Sequence, residues 1–337
     1  MDPGTGRESR PGLGLFTTIG SKKPRMEAHS AVVTTTTPQD LLVTLLADGP
    51  FERDPAPFRL VEVAGPDAGD FLQRLCSQDV LLGLGEGAVA PAAFLDAKGK
   101  LLVTCLVMRL GGSLWLEIDA EQEPRLLALL ERYHFTEKLT FTPRPSGCRE
   151  RIAAADGASA TGAALDADGV TVRFVRRGVA AERRHRFAAA AAPASATGAR
   201  DDRAECLRML AGLVRVGVET EPNTLALEAD LDDHCSARKG CYTGQEIVAR
   251  IHTYGHVNRR LCLLLLAPGA RIDAPQPLLE PEDGLAVGRV MHAVPIPGQD
   301  ARLGVGYLPK DFQAIGTTLA LDGGVPVTVI GYEPLAG

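Results

Sequence analysis

The 337-residue sequence predicts an α+β fold. Two observations carry the prediction. Up to about residue 214, strand-like and helical segments mix without the regular βαβ alternation of a parallel sheet. Beyond residue 257 only short strand-like runs remain, divided by Gly and Pro turns, which suggests a small β-barrel or sandwich.

Taken in order, Met1–Pro38 is rich in Gly, Pro, Ser and Thr with no apolar period, and reads as an unstructured extension. It lacks the apolar core of a signal peptide, and Asp2, Glu8 and Glu27 make it a poor transit peptide. Met26 offers an alternative start. Phe58–Val63 reads as a strand leading through Gly65-Pro66 into a helix over Asp67–Cys76, with Phe71, Leu72 and Leu75 on one face. Pro91–Leu95 and Leu101–Arg109 form a strand pair around the turn Asp96-Ala97-Lys98-Gly99-Lys100, and Leu114–Ile118 is a third strand. Pro124–Tyr133 is a second helix. Glu150–Arg200 reads as a small, variable α+β region with one clear strand, Val170–Val175, and a low-complexity run at Ala188–Ala192. Asp201–Val214 is a helix opened by two aspartates. Five strands follow: Arg260–Leu266, Leu285–Met291, Leu303–Leu308, Thr317–Leu321 and Val325–Ile330.

Composition excludes several classes. The net charge of −6 disfavours a protein that coats nucleic acid through bulk positive charge. The longest apolar run, Leu261–Ala267, is too short to span a membrane. Seven cysteines with no C-x-x-C pair argue against a disulfide scaffold and a zinc ribbon, and point to reduced thiols in the cytoplasm. Dinucleotide, P-loop and nucleophile-elbow motifs are absent.

Residues 219–260 carry the most information. Six acidic residues lie between Glu219 and Asp233 with no Lys or Arg, and five basic residues between His234 and Arg260 with only Glu246 opposed. The two stretches can neutralise each other on folding or line a ligand site. At their junction, Lys239-Gly240-Cys241-Tyr242-Thr243-Gly244-Gln245-Glu246 places a thiol between glycines and near Lys239, Arg238 and Arg250. Glycines allow a tight turn, and nearby positive charge favours a reactive thiolate. The competing reading is a buried, inert cysteine. His252 and His256 share metal-ligand spacing, but Thr253 and Gly255 favour a loop or strand end over a helix, and no third ligand is evident.

The octapeptide from Lys239 to Glu246, followed by Arg250, resembles the signature of YgfZ-type folate-binding proteins. Their mitochondrial relatives act in iron–sulfur protein maturation. Further pieces agree in order: Gln78-Asp79, Asp96–Lys100, Arg132-Tyr133-His134-Phe135, Thr224–Leu231 and Asn258-Arg259-Arg260-Leu261. The resemblance covers Phe58 to the C-terminus, with Glu150–Arg200 poorly matched. It implies an aminomethyltransferase-like folate-binding fold with a C-terminal antiparallel β-barrel. On that basis the chain divides into an extension (1–38), a first α+β folate-binding module (39–150), a second module bearing the octapeptide (151–257) and the barrel (258–337).

The resemblance also implies roles. Glu228 would bond the pterin of tetrahydrofolate, as a carboxylate can accept two donors from its amino-pyrimidinone edge. Tyr242, Gln245, Glu246 and Arg250 complete the cofactor-binding set, although Gln245 and Glu246 also fit as loop-shaping hydrogen-bond partners. Cys241 would be the functional thiol, tuned by Lys239, and no metal site is implied. The aspartate that aminomethyltransferases carry after the hairpin is replaced here by Val103 and Thr104, and Ala226 replaces a proline. The expected function is therefore a monomeric, tetrahydrofolate-binding accessory protein for iron–sulfur cluster assembly or repair, and thereby tRNA modification. A folate-dependent one-carbon transferase is the alternative. A third reading is RNA contact through the basic stretch His234–Arg260. The implied partners are folate and iron–sulfur proteins or their assembly factors.

Overall fold

The computed structural model describes residues 36–187 and 201–332. The expected extension over 1–38 falls almost wholly outside them, as does the Ala188–Ala192 run. In chain order the elements are α1 (Pro38–Leu45), β1 (Phe51–Arg53), β2 (Phe58–Ala64), α2 (Ala68–Leu75), β3 (Val89–Leu95), β4 (Leu101–Leu110), β5 (Ser113–Asp119), α3 (Glu123–Tyr133), β6 (Thr140–Arg144), β7 (Ser146–Ala154), β8 (Gly162–Asp166), β9 (Gly169–Arg176), β10 (Val179–Phe187), α4 (Asp202–Leu210), α5 (Gln245–Tyr254), β11 (Arg259–Leu266), β12 (Gln276–Leu279), β13 (Ala286–Pro295), β14 (Arg302–Pro309), β15 (Thr318–Ala320) and β16 (Pro326–Val329). None of the described helices is long and apolar enough to cross a membrane.

Strand alternation builds the first sheet, ordered β3-β4-β5-β2-β6. Val61, Val63, Val103, Val107, Leu114 and Leu116 point to one face and bury against Phe71, Leu72 and Leu75 of α2 and Leu126 and Leu130 of α3. Leu60, Leu106, Met108 and Trp115 point to the other and join a second core. That core includes Ile152, Val172, Phe174 and Ala181 of the second sheet, ordered β1-β7-β10-β9-β8, together with Leu207 and Leu210 of α4. The C-terminal strands close into a barrel in the order β11-β14-β13-β12-β15-β16, which leaves no open edge. The barrel, and not the sandwich, is the outcome.

Three sequence expectations need correction. Glu150–Arg200 does not hold a single strand amid weak structure: its described part belongs to the antiparallel set β7–β10. The helix expected over Asp201–Val214 stops at Leu210, capped at its start by Asp201, whose side chain accepts the Arg203 and Ala204 N–H groups. It stops because Gly212 adopts φ +65°, and a Cβ there would meet Arg176 Nη1 at 2.3 Å. Finally, His252 and Thr253 lie inside α5, which closes only at Gly255. His256 follows the helix, so the two histidines do not share a helical face.

Candidate functional site

The motifs scattered along the sequence converge on the end of α2. In the β3–β4 turn, Asp96 Oδ1 accepts the N–H groups of Lys98 and Lys100 at 2.8 and 2.9 Å, which fixes the hairpin. Gly244 packs on this turn with φ +83°; a Cβ there would meet Asp96 O at 2.6 Å and Gly99 Cα at 3.1 Å. Only glycine meets both demands, the left-handed backbone and the close approach. Leu101 N–H donates to Thr224 O at 2.9 Å, tying the Thr224–Leu231 stretch to the same hairpin. Just past α2, Ser77 Oγ donates to His234 O at 2.6 Å, and Thr243 N–H donates to Arg74 O of α2 at 3.1 Å.

Lys239 is the centre of this junction. Its buried ammonium donates to the carbonyls of Gln73, Cys76 and Gln78 at 2.7, 2.8 and 2.8 Å, and lies 5.0 Å from the Tyr242 ring centroid. The Gln73 and Cys76 carbonyls end α2, where the helix dipole favours a cation, and Gln78 lies just beyond it. Burial lowers the ammonium pKa from its ordinary value. All three of its donors are engaged by main chain, which gives Lys239 an anchoring duty. Cys241 itself is exposed, while the other six cysteines are buried. Burial pushes Cys206, Cys235 and Cys262 up to about 12, where they stay protonated.

The remaining predicted residues divide. Tyr242 is buried beneath Lys239, and its hydroxyl has no hydrogen-bond partner among the described residues. Gln245 Nε2 reaches Lys239 O at 3.5 Å, a long contact. Glu246 and Arg250 are exposed on α5. Glu228 lies elsewhere: Oε2 accepts the Leu225 N–H at 3.1 Å, Oε1 stands 3.4 Å from Arg259 Nε, and its carbonyl receives the Leu261 N–H that opens β11. The acidic stretch is largely neutralised by arginines. Glu219 pairs with Arg208, Glu221 with Arg259 and Arg289, Asp230 with Arg177, and Asp233 with Arg176. With Arg259 and Arg260 facing acids and Lys239 buried, the basic stretch leaves Arg238 and Arg250 on the surface, a weak footprint for RNA.

Sequence reasoning missed the cavity between the two sheets. An inner chamber of about 80 Å³ is lined by Thr104, Glu117, Asp119, Arg183 and Arg215, among others. An outer chamber of about 430 Å³ shares Leu106 and Leu213 with it and adds Val89, Pro91, Phe174 and Arg176. Thr104 faces the inner chamber and donates to Val214 O at 3.3 Å, whereas Val103 is buried under the helices. Arg183 lies between Glu117 and Glu150 at 2.7 and 2.8 Å, with its guanidinium carbon 3.5 Å from the Phe58 ring centroid. His185 Nε2 meets the other Glu117 oxygen at 2.6 Å. Burial works to raise the Glu117 pKa, but Arg183 and His185 outweigh it and hold the carboxylate below its ordinary value. The alternation of β10 was the available signal: Val179, Ala181, Arg183 and His185 all point inward. Neither Cys241 nor the predicted cofactor set lines these two chambers.

No family model matches the chain. Over 121 residues, 35% of its length, the chain is 33% identical to a chloroplastic candidate transferase of Arabidopsis thaliana, covering 26% of that protein. Over 273 residues, 74% of its length, it is 29% identical to a mitochondrial homolog of the iron–sulfur cluster assembly factor IBA57 from Phaeosphaeria nodorum, covering 62% of that protein. It thus spans less than two thirds of either curated relative. The crystal structure of the glycine cleavage system aminomethyltransferase T from Bartonella henselae superposes with a TM-score of 0.68 at 20% identity, over 86% of this chain and 88% of that one. The fold is therefore aminomethyltransferase-like, with mixed helices and sheets followed by a closed antiparallel barrel.

Proposed function

We propose that the protein is an accessory factor for iron–sulfur cluster assembly or repair, with Cys241 as its functional thiol and the cavity between the sheets as its folate-type ligand site. One observation carries the reading: the single exposed cysteine of seven sits in the loop that Lys239 clamps to α2. A rigidly displayed thiol suits transfer or docking chemistry, while six buried thiols do not. The likeness to an IBA57 homolog supports the assembly role, and the octapeptide supports a YgfZ-type variant acting through such clusters on tRNA modification. Seven free thiols fit a reducing compartment. The cytoplasm remains our proposal beside relatives whose names are chloroplastic and mitochondrial.

The cavity fits a tetrahydrofolate-type group. The outer chamber has the size of a small-molecule pocket and apolar walls for a flat ring, and the inner chamber offers polar groups for its heteroatoms. We assign the ligand to this cavity and not to Glu228, Tyr242, Gln245, Glu246 or Arg250, whose positions lie outside it. With Thr104 at the cavity face, the residue that replaces the aminomethyltransferase aspartate supplies no carboxylate, which favours the accessory reading over the one-carbon transferase.

The test is complementation of a deletion strain. Cys241→Ser is expected to fold as the wild type and to fail to restore iron–sulfur enzyme activity. Full restoration would overturn the thiol's role.

A further inference from the structure

Asp119 ends β5 on the strand face that also carries Glu117. The β4–β5 ladder ends at Leu106 opposite Glu117, and Asp119 pairs instead with Phe58 of β2. Thr104 and Asp119 both line the inner chamber.

The charged groups of that chamber fall into two sets. The three guanidinia are already matched by protein carboxylates: Arg183 by Glu117 and Glu150, Arg208 by Glu205 and Glu219, and Arg215 by Glu205. Glu117 is likewise consumed by Arg183 and His185. Asp119 is different. It forms no ion pair among the described residues, and its one side-chain hydrogen bond is Oδ1 accepting the Glu121 N–H at 3.0 Å. Asp119 is half-buried, and no described residue donates to its second oxygen. Burial raises its pKa, with Arg215 and Arg208 close enough to oppose the rise and Glu121 adding to it.

We propose that Asp119 is a ligand-binding carboxyl of the inner chamber, accepting a hydrogen bond from a ring N–H or amine of the bound heterocycle. The assignment rests on the proposed folate-type reading of the cavity and deepens it by naming the contact. The ligand class follows from the chemistry: a carboxylate accepts, so the bound edge donates.

The plain alternative is that Asp119 only caps the turn at Ala120–Gln122, and the substitutions are chosen to separate the two. Asparagine and serine both retain an acceptor for the Glu121 N–H and remain good caps. Tetrahydrofolate is titrated calorimetrically into the full chain, as wild type, Asp119→Asn and Asp119→Ser. Both variants are expected to melt with the wild type yet bind at least tenfold more weakly. Wild-type affinity in Asp119→Asn overturns the assignment and leaves the folate reading standing. No binding by the wild type overturns the folate reading and this assignment with it. A variant that melts early shows that capping is lost, and Asp119→Ser, with its smaller side chain, then decides by the same affinity criterion.

Discussion

Two buried cations in this molecule are handled in opposite ways. Arg183, between the sheets, is sandwiched by the carboxylates of Glu117 and Glu150. Lys239, in the octapeptide loop, is held by three main-chain carbonyls and no carboxylate. The first arrangement cancels charge; the second only directs it. Removing Arg183 would leave two buried carboxylates with one partner each, Glu117 with His185 and Glu150 with Arg53, whereas removing Lys239 would strand neutral carbonyls at a helix end. The contrast teaches that the interior depends on neutrality and the loop on placement.

The largest expected effect tests the first half. Arg183→Met should cost about 3 kcal/mol, because it removes the guanidinium shared by two buried carboxylates that keep only His185 and Arg53; urea unfolding at neutral pH measures it. Its pH dependence sharpens the point. In the wild type, the Glu117 pKa is depressed on folding, so its contribution is present above the unfolded value and is lost as pH falls through the folded one. Without the guanidinium that pKa rises above the unfolded value, so acidification should relieve part of the variant's deficit. A deficit that grows on acidification would break the neutrality argument.

Lys239→Met comes next, at about 2 kcal/mol for the lost charge-assisted hydrogen bonds. Its acid limb should stay close to that of the wild type, since no described carboxylate is ion-paired with Lys239 and Asp79 acts on it only at longer range. The smallest effect belongs to Gln245→Ala, within about 0.5 kcal/mol, as expected for a group without a tight partner. A larger loss than Lys239→Met would show that Gln245, and not the lysine, organises the loop.

The legibility of the fold followed the polarity of inward-facing side chains. β4 was readable because nearly all its buried positions are apolar, and β5 because Leu114, Leu116 and Ile118 mark one face, although Glu117 and Asp119 lie on the other. β7 and β10 were not, because Ser146, Cys148 and Glu150 on one strand and Arg183 and His185 on the other occupy inward positions. Their alternation is intact, but hydrophobicity does not reveal it. α5 was missed for another reason: Thr253 and Gly255 were weighed as helix breakers, yet Gly255 closes the helix and Ile247 and Val248 support its start. The octapeptide located the exposed thiol correctly. What it concealed was the partner of Lys239, since carbonyls of α2 leave no trace in residue spacing. The cavity was equally hidden, because two sheets distant in sequence form its walls.

The Lys239 ammonium finds Gln73 across 166 residues of chain. During synthesis α2 emerges long before Lys239, and its last carbonyls stay hydrated until that cation arrives. Closing so long a loop costs chain entropy before any contact repays it. Cys241 therefore reaches its displayed position only after α2 and the hairpin at Gly99 are already in place. A nascent or misfolded chain lacks this clamp and so has no ordered Cys241 loop.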